Sequence, residues 1–215
     1  MSFLESLRRS ASRLVKASPG AIPDCFDVPD TSFVIIVDRS GSMAEPCGTV
    51  TRLDAAKEAV ASLLDSRIRC NTNDRVTLLT FNTWAEIRIP FAWVSQARHL
   101  LEPVLRGVHA HGGTDLRAPL LTVQQLLAGR NLPPTHLIVM TDGHGGDPRA
   151  TATVLKEQGV VIETIGIGNT HDDVDEQLLK RVASIHEGHI LYRFIHDRGE
   201  LVEYFQNEIA GRLVK

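Results

Sequence analysis

From Thr31 onward, short runs of β-branched and apolar residues alternate with segments whose apolar residues recur at helical spacing, and this alternation restricts the fold more than any other feature. Phe33 to Val37 is a continuous apolar run, as expected of a strand covered on both faces. Leu53, Ala56, Val60, Leu63 and Leu64 then follow the period of one helix face. Arg75 to Phe81 reads as a second strand, and Trp84 to Ile89 as a third after only Asn82 and Thr83. So short a link requires an antiparallel hairpin, because a parallel crossover needs about a dozen residues or more. Pro90 is expected to close that strand.

The alternation continues to the C terminus. Ala97 to Leu105 predicts a helix that Pro103 kinks or shortens. Leu116, Leu120, Val123, Leu126 and Leu127 predict another, stopped at Gly129. Leu137 to Met140 is a buried strand, Ala150 to Gln158 a short helix ending at Gly159, and Val160 to Gly166 a further strand. Val174, Leu178, Val182 and Ile185 predict one more helix, Ile190 to Phe194 the last strand, and Leu201, Tyr204, Phe205 and Ile209 a C-terminal helix. Strands and helices in turn, with one early hairpin, predict an α/β fold with a doubly wound, mostly parallel sheet. Sheets of this kind bind ligands outside the carboxyl ends of their strands.

Composition narrows the function. A length of 215 residues suits one α/β domain, and 43% apolar with 23% charged residues is ordinary for a globular protein. A net charge of -3 offers no electrostatic attraction to nucleic acid, and 5% aromatic residues provide few stacking platforms. Three scattered cysteines, Cys25, Cys47 and Cys70, fit neither a disulfide framework nor a zinc knuckle, and their odd number is expected in a reducing compartment. No apolar stretch is long enough for a membrane span, and Met1 to Lys16 lacks the apolar run of a secretory signal, so the expected location is the cytoplasm. Residues 1–30 read as an amphipathic arm and linker, with Leu4, Leu7, Ala11, Leu14 and Val15 on one face and Arg8, Arg9, Arg13 and Lys16 making it cationic. Residues 31–215 form the domain, against which the arm is expected to pack.

Three places carry polar residues suited to a ligand. The first strand ends in Asp38-Arg39-Ser40-Gly41-Ser42, the loop before the Leu116 helix reads Gly112-Gly113-Thr114-Asp115, and the Leu137 strand ends in Thr141-Asp142-Gly143. Carboxylate and hydroxyl oxygens suit magnesium, manganese or calcium, whereas zinc prefers imidazole or thiolate. Thr114 or Asp115 also has the chemistry of a helix cap. Each segment alone is common in turns; together, at strand ends with a helix behind each, they define a candidate site.

The set Asp38-x-Ser40-x-Ser42, Thr114 and Asp142 resembles the metal-ion-dependent adhesion site of von Willebrand factor A (vWA) domains, over roughly Thr31 to Leu213. The resemblance implies a six-stranded sheet with one antiparallel strand, helices on both faces and the site at its top. It also implies that Ser40 and Ser42 bind the metal through their hydroxyls and that Thr114 joins them in the ligand-bound state. Asp38 and Asp142 then act through bound waters and orient the serines. Magnesium is the implied ion, with manganese or calcium as alternatives. Neutral hydroxyl ligands leave a dication with an open position that a carboxylate from a partner protein would fill. The resemblance also implies a setting, since stand-alone intracellular domains that look like this often occur in bacteria as adaptors with a MoxR-type AAA+ ATPase or as parts of tellurite- or phage-defence-like gene sets. The alternative is a metal-dependent hydrolase of phosphate or ester substrates, for which the sequence offers no evident base or nucleophile.

Several other residues carry expectations. Arg39 and Met43, inside the metal loop, are expected to be exposed near the partner site. Cys47 is expected to be unreactive for want of a base. His109, His111 and His144 are expected to face solvent rather than bind zinc. Asp147, Asp172, Asp173 and Asp175 read as carboxylates at helix N-termini. Gly143-His144-Gly145-Gly146 and Gly166-Ile167-Gly168 lack phosphate-loop spacing and read as turns. The apolar stripe of the last helix permits the slide that some members of the resembled family show.

Overall fold

The computed structural model describes residues 31–70, 74–130 and 135–210, so the arm and linker expected over residues 1–30 lie outside the described residues. In chain order the main elements are β1 (Ser32–Asp38), α1 (Arg52–Cys70), β2 (Arg75–Phe81), β3 (Ala85–Trp93), α2 (Val94–Arg106), α3 (Arg117–Leu127), β4 (Thr135–Thr141), α4 (Arg149–Glu157), β5 (Val161–Ile167), α5 (Glu176–Val182), β6 (Tyr192–Ile195) and α6 (Arg198–Tyr204), which runs on into one π-helical turn at Phe205–Ile209.

The six strands form one sheet in the order β6-β5-β4-β1-β2-β3. All neighbours are parallel except β3, which pairs antiparallel with β2 at the edge. The expected fold class is therefore the observed one. Because side chains alternate across a strand, β1 feeds both cores. Phe33, Ile35 and Val37 pack with α1, α2 and the C-terminal helix. Val34 and Ile36 pack with α3, α4 and α5 on the other face. All seven residues of β1 are buried, which is why its sequence reads as an unbroken apolar run. The chain winds from β1 toward β2 on one side and later toward β4 on the other, so the strand order reverses between β1 and β4. That reversal opens a crevice above the carboxyl ends of these two strands.

Four expectations change. The third strand runs through Pro90 to Trp93, because Pro90 sits exposed on the edge strand and the ladder slips around it, with Leu78 opposite Ile89 and Val76 opposite Ala92. Helix α2 runs through Pro103, whose exposed ring removes one backbone bond near the helix end. Val174 precedes α5 and Ile185 follows it. Asp175 caps this helix by accepting from the Leu178 N–H at 3.0 Å, and Ile185 belongs to a small hairpin with Ile190. The hairpin turns at Glu187 and Gly188, both at positive φ, a backbone that alternation alone does not reveal. Finally, Cys70 is disulfide-bonded, against the expectation of free thiols, while Cys47 is free.

Candidate metal centre

Asp38 is the last residue of β1 and Thr141 the last of β4, so Asp38 and Asp142 stand side by side at the crevice. Both are fully buried. The Ser40 N–H donates to Asp38 Oδ1 at 2.7 Å, and the Thr141 hydroxyl donates to Asp38 Oδ2 at 2.6 Å. The Ser42 hydroxyl donates to Asp142 Oδ2, and Ser40 Oγ lies 3.2 Å from Ser42 Oγ. The four residues thus form one chain of contacts: Asp38 fixes the backbone of the loop that carries Ser40, and Asp142 orients the Ser42 hydroxyl.

The third segment is brought in through its backbone. Gly41 N–H donates to Gly112 C=O at 2.9 Å, and His111 N–H to Arg39 C=O at 2.8 Å. Asp115 N–H bonds Asn82 C=O at 2.8 Å, and Leu116 N–H bonds Gly145 C=O at 3.2 Å. Thr114, half-buried, therefore sits in a loop stitched on both sides to the loops that carry Ser40 and Asp142. A Cβ at Gly145 would lie 2.1 Å from Thr114 C=O, so only glycine lets the two loops touch, and its φ of +113° suits no other residue.

Electrostatics point the same way. Burial, partly offset by its hydrogen bonds to Thr141 and Ser40 and reinforced by the charge of Asp142, pushes the Asp38 carboxyl up to about 6. A desolvated carboxylate beside a second one is a place where a cation relieves a standing penalty. The donors are all oxygen, and no group of three or more His, Cys, Asp or Glu capable of holding a metal occurs among the described residues. The chemistry of this set fits a hard divalent ion and not zinc.

A profile of the von Willebrand factor type A domain matches residues 33–207. The chain belongs to that family. Solved structures agree on the fold. BatB from Bacteroides thetaiotaomicron superposes with a TM-score of 0.67 at 18% identity, covering 85% of this chain and 98% of BatB. A von Willebrand factor type A protein from Catenulispora acidiphila gives 0.67 at 21% identity, over 86% of this chain and 43% of that one. The corresponding domain of the type V pili tip protein Mfa5 from Porphyromonas gingivalis gives 0.73 at 13% identity, over 87% of this chain and 97% of the other. No curated protein matches the chain.

Within this vWA domain two residues of the metal loop depart from expectation. Arg39 is buried, its Nη2 held at 2.7 Å by Glu86 and its Nη1 meeting His111 Nε2. Met43 is buried in the core beneath the loop. Both anchor the loop and present nothing to a partner. His109, His111 and His144 are exposed, as expected, and His144 Nε2 meets Asp173 C=O at 2.9 Å. Cys47 is inaccessible, and burial pushes its thiol above the ordinary range. Asp175 is a helix cap; Asp147 binds the Arg149 N–H and guanidinium at the start of α4.

Sequence reasoning missed three contributors. Thr141 holds Asp38, Asn82 ties the Thr114 loop to β2, and Arg52 lies against Asp142 at 3.7 Å. Thr141 was legible by its place beside Asp142; the other two are joined to the site only by the fold.

Proposed function

We propose that this vWA domain is a non-enzymatic interaction module that grips an acidic residue of a partner protein through one divalent cation. Ser40, Ser42 and Thr114 would hold the ion by their oxygens, with Asp38 and Asp142 facing it through water and orienting the hydroxyls. The ion, magnesium with manganese or calcium as alternatives, would supply a centre of positive charge with a position open to an outside carboxylate. The observation that carries this reading is the contact chain Asp142–Ser42–Ser40–Asp38: the two serine hydroxyls meet, one donates to buried Asp142, and buried Asp38 accepts the Ser40 N–H. The protein's own work is positional. Asp38 locks the turn, Gly145 brings Thr114 alongside, and Arg39 and Met43 pin the loop from below.

An adaptor role in a bacterial multi-protein system, with a MoxR-type AAA+ ATPase or another component of the same gene set as partner, follows from the family resemblance. The pilus tip protein among the structural neighbours supports surface attachment as a different setting for the same chemistry. No helix among the described residues is long and apolar enough to cross a membrane. A cytoplasmic location rests on the sequence reading, and the Cys70 disulfide pulls against it. Thermal melts in excess EDTA and with magnesium, manganese or calcium test the site, and a pull-down from the native host repeated with and without EDTA tests the function. Metal should raise the melting temperature of the native chain but not of Asp38→Ala, and EDTA should release the partner. Partner capture undiminished by EDTA would sink the reading, and turnover of phosphoesters with magnesium would favour the hydrolase instead.

A further inference from the structure

Arg52 opens α1, a helix of 19 residues, with its guanidinium 2% exposed. That position is unfavourable twice over: a cation loses hydration on burial, and it faces the positive end of the helix dipole. Its Nε has no hydrogen-bond partner among the described residues. Such a side chain stays buried only if other charges hold it there, and three carboxylates do. Nη2 lies 2.8 Å from Glu45 and 3.2 Å from Asp173, and Nη1 lies 3.7 Å from Asp142. The Arg52 N–H also bonds Glu45 C=O at 2.9 Å. Glu45 follows the Ser40–Ser42 loop, Asp173 lies in the turn after β5, and Asp142 follows β4, so one guanidinium joins three loops of the site.

We propose that Arg52 is a built-in rival of the cation, a fixed positive charge that shares Asp142 and thereby holds the metal site to weak, readily reversible loading. This rests on the metal reading above and adds a control to it. Asp38 and Asp142 supply two buried negative charges, and Arg52 cancels part of one before any ion arrives. An entering cation draws Asp142 toward itself and is repelled by the guanidinium behind it. Arg52 is not stranded when that happens, because Glu45 and Asp173 continue to pair with it. The surplus of carboxylates around Arg52 thus lets Asp142 change partners without leaving a bare buried charge on either side.

The test is a titration of the whole chain with magnesium and manganese by calorimetry, together with melts in EDTA. Arg52→Gln should lower the melting temperature in EDTA yet bind the ion about tenfold more tightly, since one nearby repelling charge is gone. Asp173→Asn should act oppositely, weakening ion binding several-fold by leaving Arg52 more dependent on Asp142. Arg52→Lys, which keeps the charge, should stay within about threefold of the native affinity. A role confined to bracing the loops predicts instead that Arg52→Gln weakens ion binding, and that outcome, or unchanged affinity in both neutral variants, overturns the proposal. If Arg52→Gln does not fold, Asp173→Asn decides: unchanged or tighter binding there overturns it. A native chain that takes up no ion removes the metal reading itself, a result distinguishable from native binding that simply ignores Arg52.

Discussion

Helix α1 carries a buried arginine near each end, and the two are solved in different ways. Arg67, in the last turn, is fully buried against a single fully buried carboxylate, Asp74, with Nε at 2.6 Å and Nη2 at 2.5 Å. Its Nη1 donates to Ala210 C=O at 3.1 Å, which fastens the C-terminal helix to the body. A cation there also suits the negative end of the helix dipole. Arg52, in the first turn, opposes the dipole and is surrounded by three carboxylates, two of them partly exposed. One end is matched charge for charge and fully buried. The other holds acidic groups in excess, and the proposed cation would draw on that excess. The difference teaches that one helix can bury an arginine by balancing it with one carboxylate or by surrounding it with several, and only the second leaves negative charge to spare for the proposed ion.

The comparison can be broken most forcefully at the matched end. Asp74→Asn leaves the Arg67 charge buried without its counterion, and should cost about 3–5 kcal/mol of stability in urea unfolding. The metal-induced rise in melting temperature should survive in whatever folded protein remains. A cost no greater than that of the corresponding change at the other end would erase the distinction.

Gly145→Ala comes next. Its Cβ cannot coexist with the Thr114 carbonyl, and the positive φ adds strain, so a loss of about 1–3 kcal/mol is expected together with a weakened metal response. A variant of native stability that responds fully to metal would show that Thr114 is not held where the backbone places it.

Asp142→Asn is the direct counterpart of Asp74→Asn. Because Glu45 and Asp173 still pair with Arg52, only about 1 kcal/mol should be lost, in line with one weakened hydrogen bond to Ser42. Metal should no longer shift the melt. Asp38 gives a companion measurement in EDTA. Its folded carboxyl titrates near 6, above the unfolded value of 3.8, so the folded state holds the proton more tightly. Stability should therefore be highest below about pH 4 as far as this group is concerned, and fall as the pH rises toward 6. Asp38→Asn should flatten that decline, which guanidine unfolding across the range would reveal.

How much of this was legible before the fold was known follows from the range of each interaction. The period of Phe33 to Val37 or of Leu53 to Leu64 is local, so the strands and helices stood out, and the short Asn82-Thr83 link fixed the one antiparallel pair of the six-stranded sheet. The candidate oxygen ligands were legible because Asp38, Ser40, Ser42 and Asp142 sit where a strand ends and Thr114 where a helix is about to begin, each near a glycine that marks a turn. Burial within a loop is not local. Arg39 and Met43 looked exposed because their neighbours in sequence are polar, yet Glu86 from β3 and the core beneath the loop claim them. Arg52 carries no signal in the period of its helix, and only the approach of Asp142 and Asp173, 90 and 121 residues away, gives it a role. The hairpin at Ile185 was hidden because its spacing from Val182 also fits a helix, and a positive φ at Glu187 has no periodic signature.

The smallest effect separates the two ends of α1 from the histidines that ring the site. His111 is exposed, and its ring meets Arg39, which keeps Glu86 when the imidazole is removed, and Asn82 Nδ2 at 3.5 Å, which keeps the His111 C=O at 3.1 Å. His111→Ala should change stability by no more than about 0.5 kcal/mol, as surface substitutions usually do. Magnesium or manganese should shift the melt of this variant as it shifts the native chain, because the imidazole supplies none of the oxygens that face the crevice. Zinc should gain nothing over them in either protein. If zinc instead gave the largest shift and His111→Ala removed it, the ion would be sitting on the rim with the imidazole. The acidic surplus around Arg52 would then need another explanation.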